Sequence, residues 1–310
     1  MHKNYYNSLN TYLKKRFGCK VYKVALSSGY GCPNQPGCIF CSSDSYLMAA
    51  NLDQTIIDAQ AINNSLTTGM AYVKKRHAKT AKFIAYFQSG SNTNAPAHKL
   101  APLYKQAIKH PDVVGLSIAT RPDCLANEHY DLLSEIASKT MLTLELGLQS
   151  ANNQTLQRIK RGHFVIDFIN AIQNLQQRNI TTCAHIILGL PEETKEDILR
   201  TANLLNELKV DGVKIHNLHV LKNTVLENWY LAGKINLLDL ATYASWTVTF
   251  LEHLSPDILI HRVNGHAAEH LTLAPKWSIN KLAILNAVQK EFEIRKTFQG
   301  KLYTTGAAKA

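Results

Sequence analysis

Absent from the first 43 residues of this 310-residue chain is any Asp or Glu. Lys3, Lys14, Lys15, Arg16, Lys20 and Lys23 stand there unopposed, and from residue 270 onward seven Lys/Arg face only Glu291 and Glu293. A net charge of +11 gathered at two ends suits a polyanion such as RNA, with both ends expected near one binding mouth. The plainer reading is a basic surface that keeps the protein soluble. Also missing is any apolar run long enough to span a bilayer, and the N-terminal stretch has no apolar signal core. Together these predict a cytoplasmic protein. No low-complexity tract and no fixed repeat occurs, which excludes solenoids and disordered scaffolds. Six cysteines in a reducing compartment read as metal ligands or buried thiols rather than disulfides.

What is present is an alternation. Apolar, β-branched runs at 21–28, 82–88, 113–120, 142–149, 184–190, 212–220 and, shorter, 257–263 lie about 30 residues or more apart, as parallel strands joined by returning helices require. Amphipathic stretches fill the gaps at 52–76, 97–109, 127–138, 164–178, 193–208 and 239–254, with Asp123 and Thr194 as N-terminal signals for two of them. The fold class is α/β, a partial or closed (β/α)6-type barrel, with a doubly wound open sheet as the alternative. Residues 1–20 form a basic N-terminal helix, 21–263 the barrel, and 264–310 a helical extension packed on it. Polar, Gly/Pro-rich segments follow the strands, where barrel active sites are built.

The sharpest of these segments is SSGYGCPNQPGCIFCSS, with Cys32, Cys38 and Cys41 spaced five and then two residues apart. Three thiolates on one loop can wrap a compact metal centre. A tetrahedral zinc ion needs a fourth ligand, and no His or Cys follows at zinc-finger spacing. Cys19 precedes the first strand and belongs to the opposite end of a barrel. Three cysteines without a fourth favour a 4Fe–4S cluster with one open iron over zinc or idle thiols.

The loop ending GCIFCSS resembles that of the radical S-adenosylmethionine (SAM) superfamily. YFQSGSNTNAP, GLSIATRPDCL, LELGLQSANNQTLQRIKRGH, HIILGLPEET, DGVKIHNLHVLKNT, HRVNG and LAPKWSINK are similar to a small bacterial group related to the catalytic subunit of Elongator. The likeness runs from about Val21 to about Tyr303. One departure is the interval Pro33 to Gly37, shorter than the insert usual in that group.

The resemblance implies a TIM-like barrel of the radical SAM kind, a 4Fe–4S cluster on Cys32, Cys38 and Cys41, and SAM as cofactor. It implies reductive cleavage of SAM to a 5′-deoxyadenosyl radical, with an electron donor of the flavodoxin or ferredoxin kind. It also places Phe40 beside the adenine, Gln88 at the methionine amino group and His185 at the ribose. Gln149 and Arg161 match SAM-contacting positions, Arg161 suiting a carboxylate because its fork binds both oxygens. Glu145 shares strand parity with Gly147 and Gln149, so it should face the barrel interior and join this set. Arg161 among Arg158 and Lys160 could instead belong to a solvated face, and His185 could be a hydrogen-bonded core histidine. The substrate implied is tRNA, at a carbon substituent on the wobble uridine. A small porphyrinogen-like substrate and a non-catalytic iron–sulfur or zinc scaffold are the alternatives.

Overall fold

The computed structural model describes residues 5–35, 37–42, 58–77, 81–88, 90–265 and 267–304. Residues 52–57 of the expected helical stretch, the ends 1–4 and 305–310, and His266 lie outside them.

Chain order generates the architecture. A helix α1 (Leu9–Phe17) precedes β1 (Val21–Leu26), and α2 (Ala59–Arg76) leads to β2 (Lys82–Phe87). Then follow α3 (Ala97–Ala107), β3 (Val113–Thr120), α4 (Asn127–Ala137), β4 (Met141–Gln149), α5 (Asn153–Arg158) and α6 (Val165–Gln176). The chain continues through β5 (Thr181–Leu188), α7 (Lys195–Glu207), β6 (Gly212–Asn217), β7 (Val220–Leu221), α8 (Val225–Leu231) and α9 (Leu240–His253). It ends with β8 (Leu259–Arg262), β9 (Thr272–Ala274) and α10 (Lys281–Arg295).

Seven strands pair in parallel in the order β1-β2-β3-β4-β5-β6-β8, while β7 and β9 form a small antiparallel ribbon. Sequence order equals spatial order, so the strand reversal of a doubly wound sheet is absent and the alternative drops out. The barrel is also not closed. Between the edges β8 and β1 lies α1, which packs on both, and Ile260 N donates to Asn7 O at 2.7 Å.

One face of each strand is apolar. Val24 and Leu26, Leu116 and Ile118, Leu144 and Leu146, Ala184 and Ile186, and Val213 and Ile215 are all buried in one cluster with helix residues such as Ile62, Leu66, Ile172 and Leu205. Each fully buried Leu or Ile contributes about 1.5–3 kcal/mol. The same alternation turns Lys23, Tyr86, Ser117, Glu145, His185 and Lys214 to the other face, the concave interior.

Three expectations need correction. The run 212–220 is two strands, because the chain leaves the sheet after Asn217 with Leu218 N bonded to Leu188 O at 3.2 Å. Helix α4 is not capped by Asp123, which Arg121 grips instead; the His129 ring accepts from Ala126 N at 2.9 Å. Thr194 does cap α7, its N–H and hydroxyl both reaching Asp197. The third concerns charge. Lys14, Lys15 and Arg16 occupy the last turn of α1, which runs through Gly18, Cys19 and Lys20 into the start of β1. These cations therefore sit at the end of the barrel opposite the cysteine loop, not at its mouth. Among the described residues no helix is long and apolar enough to cross a membrane.

Candidate active site

The cysteine loop leaves β1 and is pinned from both sides. Ser28 N donates to Asn92 Oδ1 at 3.0 Å, Ser91 N to Gly31 O at 2.7 Å and Asn94 Nδ2 to Tyr30 O at 2.9 Å. A Cβ at Gly90 would lie 2.5 Å from Gly31 O, and Gly90 has φ +72°, so only glycine permits this approach. Farther along, Ile39 N bonds Ile159 O at 3.1 Å and Leu226 N bonds Ile39 O at 2.9 Å. Cys38 is buried, and Cys32 and Cys41 are half-buried, with Cys41 N donating to Cys38 O across a turn. Phe40 packs partly buried against a cluster that includes Ile159, Ile187 and Leu218.

Two donors converge on the Cys38 sulfur: Asn34 Nδ2 at 3.4 Å and Arg161 Nη1 at 3.6 Å. Asn34 also donates to the carbonyls of Lys160 and Arg161, clamping the loop to the segment after β4. Among the described residues no three His, Cys, Asp or Glu side chains stand as the ligands of a single ion. That disfavours zinc, whose sulfurs must all lie about 2.3 Å from one metal. A 4Fe–4S cluster gives each thiolate a different iron, so it takes more widely separated sulfurs, and three thiols on a pinned loop fit it.

Arg161 and Gln149 are brought together. A Cβ at Gly147 would meet Arg161 Nη2 at 2.5 Å and Gln149 Nε2 at 2.8 Å, so the glycine makes room for both side chains. Gln149 has φ +73°, a left-handed conformation that costs a non-glycine residue about 1–3 kcal/mol and concentrates at functional sites. Arg161 is 7% exposed; its Nη2 donates to Gly147 O at 2.9 Å, and its buried Nε has no partner among the described residues. A buried guanidinium with an unused N–H beside a thiol loop fits a bound carboxylate. It does not belong to a solvated face; Arg158, one turn away, does, paired at 2.5 Å with the exposed Glu192. Gln88 follows β2 half-buried, its N–H bonded to Leu26 O at 3.2 Å.

Deeper in the barrel, Glu145 is fully buried, and five side chains reach its carboxylate. Lys23 Nζ lies 2.5 Å and Ser117 Oγ 2.6 Å from Oε1. Tyr86 Oη at 2.8 Å, His185 Nε2 at 2.7 Å and Lys214 Nζ at 2.7 Å reach Oε2. Burial alone would push this acid up, but Lys214 and Lys23 hold it well below the usual carboxylate range. Burial, reinforced by Lys214, lowers His185 to about 4, so at neutral pH it is a neutral donor to Glu145. A typical barrel interior is a packed apolar core. This one is polar.

Sequence reasoning alone did not single out several of these groups. Arg121, with its side chain 4% exposed, forks onto Asp123 and donates Nη1 to Arg161 O at 2.9 Å. Asn34, Tyr86 and Ser117 were likewise unmarked, Lys23 figured only as charge at the basic end, and His261 and Arg262 only within the HRVNG segment. The available signal was strand parity with Glu145, which Lys23, Tyr86, Ser117 and Lys214 share across neighbouring strands.

One pH effect follows from the loop after β5. Burial raises Glu193 to about 7, while its carboxylate accepts from Ser150 Oγ just beyond Gln149. The folded state thus binds this proton more tightly than the unfolded chain, whose Glu titrates near 4.3. The stability it contributes is complete below about pH 4 and is lost as pH rises through 7. Glu193→Gln is expected to match the wild type in urea unfolding near pH 4 and to exceed it by up to about 3–4 kcal/mol at pH 8. A pH-independent difference would contradict this.

The sequence profile of the Radical SAM superfamily matches residues 26–205, and that of the Radical SAM C-terminal domain matches residues 210–294. YtqA of Bacillus subtilis is 38% identical over 306 residues, covering 96% of this chain and 92% of YtqA. A tRNA uridine(34) acetyltransferase of Dehalococcoides mccartyi is 28% identical over 124 residues, 39% of this chain and 26% of that protein. In three dimensions Elp3 of Methanocaldococcus infernus, with an N-terminal deletion, shares the fold at a TM-score of 0.68 and 18% identity, over 90% of this chain and 64% of Elp3. With more than half its length matched by the superfamily profile, the chain belongs to the radical SAM superfamily, and its cofactors are a 4Fe–4S cluster and SAM.

Proposed function

We propose that this enzyme binds its cluster through Cys32, Cys38 and Cys41, cleaves SAM reductively, and acts on a carbon substituent of the wobble uridine of tRNA. The observation that carries the first part is the buried Arg161 fork, which reaches the Cys38 sulfur and keeps an Nε unpaired among the described residues. When bound, the cluster and SAM supply a 5′-deoxyadenosyl radical that abstracts hydrogen from carbon.

The residues have separate tasks. Arg161 pairs the methionine carboxylate, while Gln149 and Gln88 donate or accept around the amino acid end. Phe40, set in its apolar cluster, lies against the adenine, and His185 orients toward the ribose from its anchor on Glu145. The charged and hydrogen-bonded side chains under them, centred on the fully buried Glu145, restrict bulk water. An electron donor of the flavodoxin or ferredoxin kind delivers the electron to the exposed side of the cysteine loop.

The tRNA reading is supported by the match to a tRNA uridine(34) acetyltransferase and not by the basic N-terminal helix, which stands at the wrong end. Exposed cations on the cysteine side include Lys160 and Lys222, in the segments after β4 and β7. Anaerobic reconstitution with dithionite, reading 5′-deoxyadenosine, tests the chemistry. Filter binding with bulk tRNA across a salt series tests the partner. Replacing Lys160 and Lys222 by Ala is expected to flatten the slope of log affinity against log salt by up to about two units. Replacing Lys14, Lys15 and Arg16 should leave it unchanged. Weak, salt-independent binding would transfer the proposal to a small-molecule substrate.

Arg161→Ala is expected to weaken SAM binding by about 1.5–3 kcal/mol with the iron content intact, because a charge-assisted pair is lost. Arg158→Ala, which removes a surface pair, should change it little. Equilibrium dialysis with labelled SAM separates the two.

A further inference from the structure

The barrel interior is short of negative charge. Lys23, Lys214 and Arg262 all point into it, and Glu145 is the carboxylate that acts on both Lys214 and Arg262. The other groups that would offset Arg262 are Tyr86, Tyr243 and Cys183. Burial raises all three, so they stay neutral at physiological pH. His185, His216 and His261 are lowered by burial and carry no charge there either. Three buried or half-buried cations thus share one carboxylate, and an uncompensated buried charge is costly.

Glu145 is already saturated by Lys23 and Lys214, which leaves Arg262 without a hydrogen-bonded anion among the described residues. Its recorded contact is Nη2 to the ring nitrogens of His216, at 2.9 Å to Nδ1, and its buried Nε has no partner among the described residues. An arginine has five N–H donors in a planar fork, shaped for two oxygens of one anion. Position adds to this. Strand register runs Gly147 to His185, His185 to Lys214 and Lys214 to Arg262, so the fork lies in the same layer as the Arg161 and Gln149 side chains gathered over Gly147. His185 and His216 stand between, with ring centroids 5.3 Å apart.

We infer that Arg262, with His216 and Lys214 beside it, forms a subsite for an anionic group, a carboxylate or phosphate, of the molecule that enters the barrel. The subsite is distinct from the SAM carboxylate position at Arg161 and faces it across the barrel interior. It rests on the reading that substrate enters from the cysteine side, but not on that substrate being tRNA.

Two measurements on the full chain test it without turnover, so its failure and that of the proposed reaction can be told apart. The probes are inorganic phosphate and acetate, titrated calorimetrically at constant ionic strength in chloride. Wild type should bind one equivalent of the matching probe, phosphate if the natural group is a phosphate and acetate if it is a carboxylate. Arg262→Gln should weaken that binding at least tenfold, and Arg262→Lys, which keeps the charge and loses the fork, should fall between. In chloride alone Arg262→Gln should unfold at a higher temperature than wild type, because it removes a buried charge that lacks a counter-ion. A fork that serves only structure would give the reverse: Arg262→Gln less stable, and no probe affinity in either protein. Loss of SAM affinity in Arg262→Gln with probe binding unchanged would assign the fork to the cofactor and overturn the inference.

Discussion

Replacing Cys38 by Ala is expected to abolish iron–sulfur absorption and SAM cleavage together. Cys38 is the buried thiol of the three, and its sulfur is where Asn34 and Arg161 converge. No other thiol lies in the loop to replace it, since Cys183 is on β5 facing His261 at 3.3 Å and Cys19 precedes β1. Cys32→Ala and Cys41→Ala should behave alike. Cys124 is the useful control: it sits in the loop after β3, near enough to Arg121 and Cys32 to sense their charge. Cys124→Ala should retain about four irons per chain. A Cys38→Ala protein that kept a full cluster and normal 5′-deoxyadenosine formation would refute the ligand assignment.

Glu145→Gln is expected to destabilise the fold by about 3–5 kcal/mol, the usual consequence of removing one partner from a buried ion pair. The substitution preserves shape, so the loss reports charge: Lys214 and Lys23 remain in place with no anion. Lys214→Met in the same background should recover part of the loss, because the two residues share one network and their effects are not additive. The pH dependence is signed. Glu145 is held below its ordinary range when folded, so its contribution is present above about pH 4.3 and disappears as pH falls further. Wild-type and variant urea midpoints should therefore converge in acid and separate at neutral pH. Equal stability at pH 7 would mean that the cations are solvated and the interior is wetter than its burial implies.

These two residues differ in how they could be found. The cysteine motif is local. Three thiols within ten residues, with no fourth, define a chemistry before any fold is known, and the strand that precedes them defines which end of a barrel they occupy. Strand spacing of about 30 residues or more likewise requires crossover helices, and parity within each strand separates the helix-facing residues from the inward ones. Glu145 was legible by that parity, as an acid on an apolar strand. Lys23, Tyr86 and Arg262 were not, although each has a parity of its own, because parity does not say which residues on different strands meet.

Local composition therefore determined the α/β class and the cysteine loop, and the family resemblance carried by its motifs supplied SAM. Tertiary structure decided the rest, for reasons of register and charge. Stagger between parallel strands selects which inward residues share a layer, and so joined Gly147, His185, Lys214 and Arg262 from four strands. A bend after α5 with Lys160 and Gly162 at positive φ turned Arg161 inward from a run of three cations that reads as solvated. Topology placed the basic N-terminal helix: α1 must deliver the chain to the start of β1, which puts its last turn at the barrel's far end from the cysteines, and the C-terminal segment packs on the residues before α1, with Gln299 N donating to Tyr5 O at 2.9 Å. Electrostatic balance inside the barrel is a sum over residues more than 200 positions apart in sequence, and only folding brings that sum to a single place.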